Sequence, residues 1–541
     1  MRPLGLTSLS ALSLSVVAAL GLASADVRAA ETPIYGGELH FVVASDIPSF
    51  DAHQEETFGL IHPLGPLYSL LIRVNPDNPQ SSSDIVCDLC EGTWTTSADQ
   101  MTYTFKIRQN AKCHDGTPVT AADVKATHDK VAFPAEGMTS VRKGWYSQVA
   151  SFEAPEKYTF VVKMKRPLPA IIPALASPFN WIYSKKDIDT ARDWHKTKIN
   201  GSGAFKMTKY QAGDFVEAKK NPDYYVKGRP YLDGYRAILA PKLSVRMQAI
   251  RGNRAAVDFR GMPPMGSQEL VKAMGNRIVV QEGEWNILMG AAPNELKKPF
   301  DDTRVRQALG YAMDRWTGSK NLSQIAIVKT PGGIVFPGSP LAASKEWLSQ
   351  NVPGFGPDVK ANQAKAQALL KEAGQTDLKV TLWNRAVDQP YKAIGTWMID
   401  EWRKSGIKAD QRVVPTGPWY AGIRTTKDFD VTIDFNPLTI VNPTIDVSKW
   451  TTGAGLNYSN QKDPKTDELY FAMLFETDAK KQTEKMRTYE KYVLGERTDW
   501  YPTFWWYKIT PHRSYMKGWK IAPSHYLNQQ LDTVWIDPKL L

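Results

Sequence analysis

Hydrophobic and polar positions along the chain mark out strands first. Residues 38–44 alternate and then turn apolar, and residues 103–108 and 158–164 alternate throughout, so each predicts a strand. Residues 204–210 and 215–219 read as two more strands around the polar turn Gln211-Ala212-Gly213-Asp214, which predicts a hairpin. Elsewhere the spacing is helical. Thr120-x-x-Asp123 makes a capping-box start, after which Val124, His128 and Val131 mark one helix face. After Asp301 and Asp302, Val305, Ala308, Leu309, Ala312 and Met313 recur at helical spacing, and Arg304, Arg306 and Arg315 fall mostly off that stripe. Residues 243–253 predict a helix, and residues 255–259 and 285–289 predict strands. Residues 361–373 form a helix stopped by Gly374. A strand at 379–383, a helix at 391–405 and a strand at 408–414 then make a β-α-β unit, which implies a parallel pair. Residues 430–435 follow as another strand.

Local punctuation adds detail to this outline. Gly201 and Gly203 permit φ angles or close backbone approaches that a Cβ would block. Asn221-Pro222-Asp223 ends the hairpin and sets Tyr224 and Tyr225 beside a turn. At the start, Arg2, the apolar stretch 4–22 and Val27-Arg28-Ala29 predict a cleavable secretory signal over residues 1–29, with Ala23-Ser24-Ala25 as a second candidate cleavage site. No later apolar run is long enough to span a bilayer, so a protein outside the cytoplasm, in a bacterial periplasm, is expected.

Composition changes little. Of 541 residues, 42% are hydrophobic and 23% charged, an ordinary globular balance, and the length suits roughly two to four domains. The net charge of +11 comes from Lys and Arg spread along the chain with no dense basic run, so a solvated surface is expected rather than a nucleic-acid site. Three cysteines, Cys87, Cys90 and Cys113, leave two readings open. A disulfide with one buried thiol suits an oxidising compartment, and Cys87-x-x-Cys90 with Cys113-His114 has the makings of a zinc site. His-Glu-x-x-His, Gly-x-Ser-x-Gly and a phosphate loop are all absent, which excludes the enzyme families that carry those motifs.

Several phrases occur in a familiar order. They are His114-Asp115-Gly116-Thr117-Pro118, Gly201-Ser202-Gly203-Ala204-Phe205-Lys206, and Asn221-Pro222-Asp223-Tyr224-Tyr225. Pro299-Phe300 with Arg304-Val305-Arg306-Gln307-Ala308, and Asn457-Tyr458-Ser459, follow. Together they resemble the extracellular solute-binding proteins of ABC importers, in the large three-domain branch that includes oligopeptide- and dipeptide-binding proteins. The resemblance implies an α/β, two-lobed periplasmic-binding-protein fold with an extra inserted domain. Residues 31–65, 196–285 and 501–541 would build one lobe, 66–195 the inserted domain and 286–500 the opposite lobe. Such a protein captures a peptide-like or other small organic solute by hinge closure and delivers it to membrane permease subunits. It would be a monomer, without catalysis, cofactor, metal or nucleic acid. The alternative is a secreted hydrolase or zinc-dependent enzyme.

The resemblance also places candidate ligand contacts. Ser45 and Phe58 follow the first strand, and Trp285, Trp383, Trp419 and Trp505 lie in or beside segments that face the cleft in relatives. In peptide-binding relatives an aspartate four residues before a proline binds the ligand's ammonium. Here Thr439 stands four residues before Pro443, whereas Asp434 stands three before Pro437. Asp434, Asn436, Thr439, Asn442 and Trp450 are therefore all candidates, and a free amino terminus on the solute is not required.

Overall fold

In the computed structural model, residues 31–81, 84–168, 170–437 and 442–541 are described; the expected signal over residues 1–29 and the candidate Thr439 lie outside them. The main-sheet strands are β1 (Glu38–Val43), β2 (Phe205–Gln211), β3 (Phe215–Lys220), β4 (Gly234–Leu239), β5 (Val257–Asp258) and β6 (Ile278–Pro293). They continue with β7 (Val328–Pro331), β8 (Lys379–Arg385), β9 (Lys408–Val414), β10 (Val431–Pro437) and β11 (Tyr501–Arg513). Among the described residues these eleven strands make one mixed sheet in the order β9-β8-β10-β6-β11-β5-β1-β4-β3-β2, with β7 also paired to β11.

The sheet has two parallel parts joined by an antiparallel ladder. β1 runs parallel to β4 and β5, and β8 runs parallel to β9 and β10. Between them, β6 pairs antiparallel with β11 from Ile278↔Arg513 to Ala291↔Tyr501. Register shifts between Trp285 and Leu288 and between Leu288 and Gly290 interrupt this ladder. Such bulges bend a strand and raise its local twist.

The expected hairpin is β2–β3, closed by Asp214 N–H donating to the Gln211 carbonyl at 3.0 Å, with Gly213 at φ +76°. The need for glycine at position 201 is one of space. A Cβ there would overlap the Leu67 carbonyl oxygen, because residues 201–203 run against residues 66–69. Gly203 N–H donates to Leu67 O at 2.9 Å and Ser69 Oγ to Ser202 O at 3.0 Å.

A separate four-stranded antiparallel sheet, covering residues 95–164, carries the helix Ala121–Ala132. Its capping box forms as read, with Thr120 N–H donating to Asp123 at 2.7 Å. Val124, His128 and Val131 are fully buried, and His128 lies 5.6 Å from the Phe160 ring. Burial pushes that imidazole down to about 3, so it is a neutral core residue.

One reading of the helix Thr303–Tyr311 and the turn beyond it needs correction. Arg306 and Arg315, expected mostly off the apolar stripe, are 1% exposed. Arg306 donates to the carbonyls of Arg497, Phe300 and Asp301, and Arg315 to Pro502 O at 2.6 Å. A guanidinium carries five N–H donors, so it can be buried where several backbone carbonyls converge.

Cys87 and Cys90 form a disulfide and Cys113 is a buried free thiol, so two of the three sulfurs of the zinc reading are bonded to each other. The loop they close is very short, and Cys87→Ser is expected to cost at most about 2 kcal/mol. Urea unfolding with and without reductant checks this.

Candidate functional site

In open parallel sheets the residues just past the carboxyl ends of strands line the ligand crevice. Four such positions converge here. Ser45 follows β1, Arg260 follows β5, Arg385 ends β8 and Thr416 follows β9. Ser45 Oγ and Thr416 Oγ1 lie 3.2 Å apart, which brings the ends of the two parallel parts together. Arg385 Nη2 donates to Thr416 Oγ1 at 3.2 Å and Thr57 Oγ1 at 3.4 Å, while Nη1 donates to Tyr391 Oη at 2.9 Å. Arg260 donates through Nε and Nη2 to the Gln389 carbonyl at 3.1 and 2.6 Å.

Aromatic rings wall these two cations. The Arg260 guanidinium sits 3.8 Å from the Phe58 ring centre and 4.9 Å from Trp506, and that of Arg385 lies 4.9 Å from Tyr391 and 5.4 Å from Trp419. Both arginines are fully buried. Burial, with repulsion from Arg385 adding to it, pushes the Arg260 guanidinium down to about 10. Lys508 lies 5.3 Å from the Trp285 ring centre and is pushed down to about 7 by burial.

A second cluster fastens the segment 51–58. Arg424 Nη2 and Tyr458 Oη donate to Glu56 Oε1 at 2.9 and 2.7 Å, and Arg424 Nη1 donates to Gln54 O at 3.2 Å. The adjacent Glu55 lacks this support; its Oε2 is buried without a partner, and burial raises the carboxyl to about 7. A folded-state pKa above the ordinary 4.5 means that folding favours the protonated form. The associated stability is whole below about pH 4.5 and lost as pH rises through about 7. Glu55→Gln is therefore expected to stabilise the protein by about 3 kcal/mol at pH 8 and to change nothing at pH 4. Urea midpoints at the two pH values test the sign.

The structure separates the sequence candidates. Ser45, Phe58 and Trp419 lie in the arginine cluster. Trp285 is fully buried with its ring 4.5 Å from His525. Trp505 is buried against Phe336 at 5.3 Å and Trp450 against Trp500 at 5.4 Å. Trp383 is half-buried, with the Arg412 guanidinium 4.3 Å from its ring centre. Asp434 does hold an ammonium, but one from its own chain: Lys449 Nζ lies 2.9 Å away, and Trp500 Nε1 donates to it at 2.7 Å. Burial nevertheless raises its carboxyl, with Lys449 pulling the other way. Asn436 shares a small cavity with Asp446, and its Nδ2 has no partner. Asn442 caps the helix Pro443–Asp446 and lines a groove of about 920 Å³ with Glu284, Asn286 and Phe475. Arg260, Arg385, Thr57, Tyr391 and Thr416 were not foreseen. The signal was the predicted β-α-β unit, whose first strand, read as 379–383, runs on to Arg385 in the structure.

Comparison with known proteins decides the family. The model for bacterial extracellular solute-binding proteins, family 5 (middle), matches residues 84–453. The chain belongs to this family. Among family 5 relatives, the glutathione-binding protein GsiB of Escherichia coli (strain K12) is 29% identical over 339 residues. That alignment takes in 60% of this chain and 60% of GsiB, so the chain spans about three fifths of the curated relatives it matches. Solved structures share the fold over almost the whole chain. The binding protein AgaA from A. tumefaciens R10, in complex with agropinic acid, superposes with a TM-score of 0.79 at 23% identity. It covers 93% of this chain and 99% of its own. DppA from Helicobacter pylori, in complex with the peptide STSA, gives 0.79 at 20% identity over 93% of this chain and 98% of its own. The α/β periplasmic-binding-protein fold expected from the sequence is thus the fold observed.

Proposed function

We propose that this protein is the solute-binding component of an ABC importer, capturing a small organic solute in the periplasm and passing it to membrane permease subunits as a monomer. The observation that carries this reading is the convergence of Ser45, Arg260, Arg385 and Thr416 at the ends of parallel strands from both parts of the sheet. A solute held there contacts both parts at once, so its binding energy favours the closed arrangement. The lobe division is 31–65 with 196–285 and 501–541 on one side, 286–500 on the other and 66–195 inserted. It is supported by the bulges at residues 285–290, which fall where β6 passes from one parallel part toward the other. The Glu56–Arg424–Tyr458 cluster then acts as a latch across the cleft. A cleavable signal over residues 1–29 provides export. The protein is not an enzyme in this reading, and Ser45, Phe58 and Trp419 are its most direct sequence-derived contacts.

The test is to purify the protein from periplasm, denature it and identify any released compound by mass spectrometry. Glutathione, short peptides and opine acids, the solute types of the relatives, are then titrated while small-angle scattering follows the radius of gyration. A retained or added solute that shrinks the radius and is recovered unchanged supports the proposal. A solute recovered chemically altered, or no compaction with any bound solute, sinks it.

A further inference from the structure

We infer that the solute is an acid, and that Arg260 and Arg385 together receive its oxyanion group, a carboxylate or a phosphate. This rests on the importer reading and names the chemistry of the same site.

The two guanidinium groups face the same rings. Arg260 and Arg385 lie 3.8 and 5.9 Å from the Phe58 ring centre, and 5.7 and 4.9 Å from that of Tyr391. Among the described residues neither pairs with a carboxylate; their partners are a backbone carbonyl and neutral hydroxyls. Asp258, the acid whose charge acts on both Arg260 and Lys508, is itself held by Arg246 Nε at 2.7 Å. Nor do residues 82, 83, 169 or 438–441 supply one, since none of them is Asp or Glu. Two other buried arginines meet carboxylates, Arg73 with Asp532 and Arg424 with Glu56, whereas Arg142 and Arg315 are held by backbone carbonyls. What sets Arg260 and Arg385 apart is that they share the Phe58 and Tyr391 rings.

Two N–H donors sharpen the point. Arg260 Nη1 and Arg385 Nε are buried and have no hydrogen-bond partner. A buried cation with an unspent donor is costly unless something anionic completes it. Two such cations on shared rings make the cost worse, because each repels the other. An oxyanion offers the missing acceptors and the missing charge together. Glu55, the acid whose carboxyl feels the Arg385 charge, is itself raised to about 7 by burial and makes no ion pair with it, while His62 and His525, held neutral by burial, add no further positive charge. Phe58, Trp419 and Trp506, all buried around the two guanidinium groups, make the surroundings of the site apolar.

The experiment takes the whole mature chain from periplasm and identifies the compound it retains. An acid supports the inference; a neutral or cationic compound overturns it while leaving the importer reading intact. If nothing is retained, thermal shift is measured with matched pairs: linear dicarboxylates and their diamides, N-acetyl amino acids and their amides, sugar phosphates and the parent sugars. Acids are expected to raise Tm where their neutral twins do not, and the carboxylate and phosphate arms show which group is read. Arg260→Gln and Arg385→Gln should each weaken binding of the active acid at least tenfold, with the folded state checked by circular dichroism. Neutral twins that match their acids, no shift from any acid, or undiminished binding by both variants overturns the inference. Conversion of the solute would instead count against the importer reading.

Discussion

Replacing Asp434 by Leu is expected to lower the unfolding free energy by about 3–5 kcal/mol. Asp434 and its partner Lys449 are 0% and 3% exposed, and their charged groups lie 2.9 Å apart. Removing the carboxylate leaves an ammonium held by the Leu456 carbonyl at 3.0 Å, and Trp500 Nε1 loses its acceptor as well. The interior cannot hydrate either group, so the penalty is that of an uncompensated buried charge rather than of one lost bond. Asp434→Asn keeps an acceptor for Trp500 but not the charge, and should cost less than the Leu variant. Urea midpoints of the three proteins decide the matter. Equal midpoints would mean that Lys449 finds another partner.

The second large effect is expected at Gly201. Gly201→Val should cost at least about 4 kcal/mol, because the new side chain meets the Leu67 carbonyl, a backbone group that cannot swing aside. His114 N–H donates to Gly201 O at 2.7 Å, which holds the segment from the other side. Gly213 supplies the contrast. It sits at φ +76° with open space around it, so Gly213→Ala should cost only about 1 kcal/mol through backbone strain. Denaturant midpoints that fell equally for the two variants would refute the distinction.

Much of the fold was legible. The hairpin, the capping box and the β-α-β unit each follow from local pattern and turn chemistry, and local pattern is what a sequence displays. β6 was only partly legible: residues 285–289 read as a strand, whereas the strand runs from Ile278 to Pro293. After Ile278-Val279-Val280 its first half carries Gln281, Glu282 and Glu284, polar residues on both faces, so the short apolar start is not continued into a recognisable strand. The arginine cluster was harder still. Arg260 follows β5 and Arg385 ends β8, in different parts of the sheet, and only their convergence sets them apart from surface arginines. Asp434 shows the opposite difficulty. The acid drew attention as a receiver of an ammonium, and the ammonium it receives is Lys449, whose nearness depends on how the chain returns after β10.

The ladder between β6 and β11 has a consequence for how the chain is made. Synthesis proceeds from the amino end, and β11 is the last strand of the main sheet to leave the ribosome. β5, β6 and β7 all pair with it, yet all are finished long before it exists. Neither part of the sheet can close its hydrogen-bonding edge until residues 501–513 arrive, so the nascent chain stays open-edged for most of its synthesis. Such edges invite pairing with other chains, and long-range strand pairing is slow. A chain built this way depends on being kept from its neighbours until its end has been made.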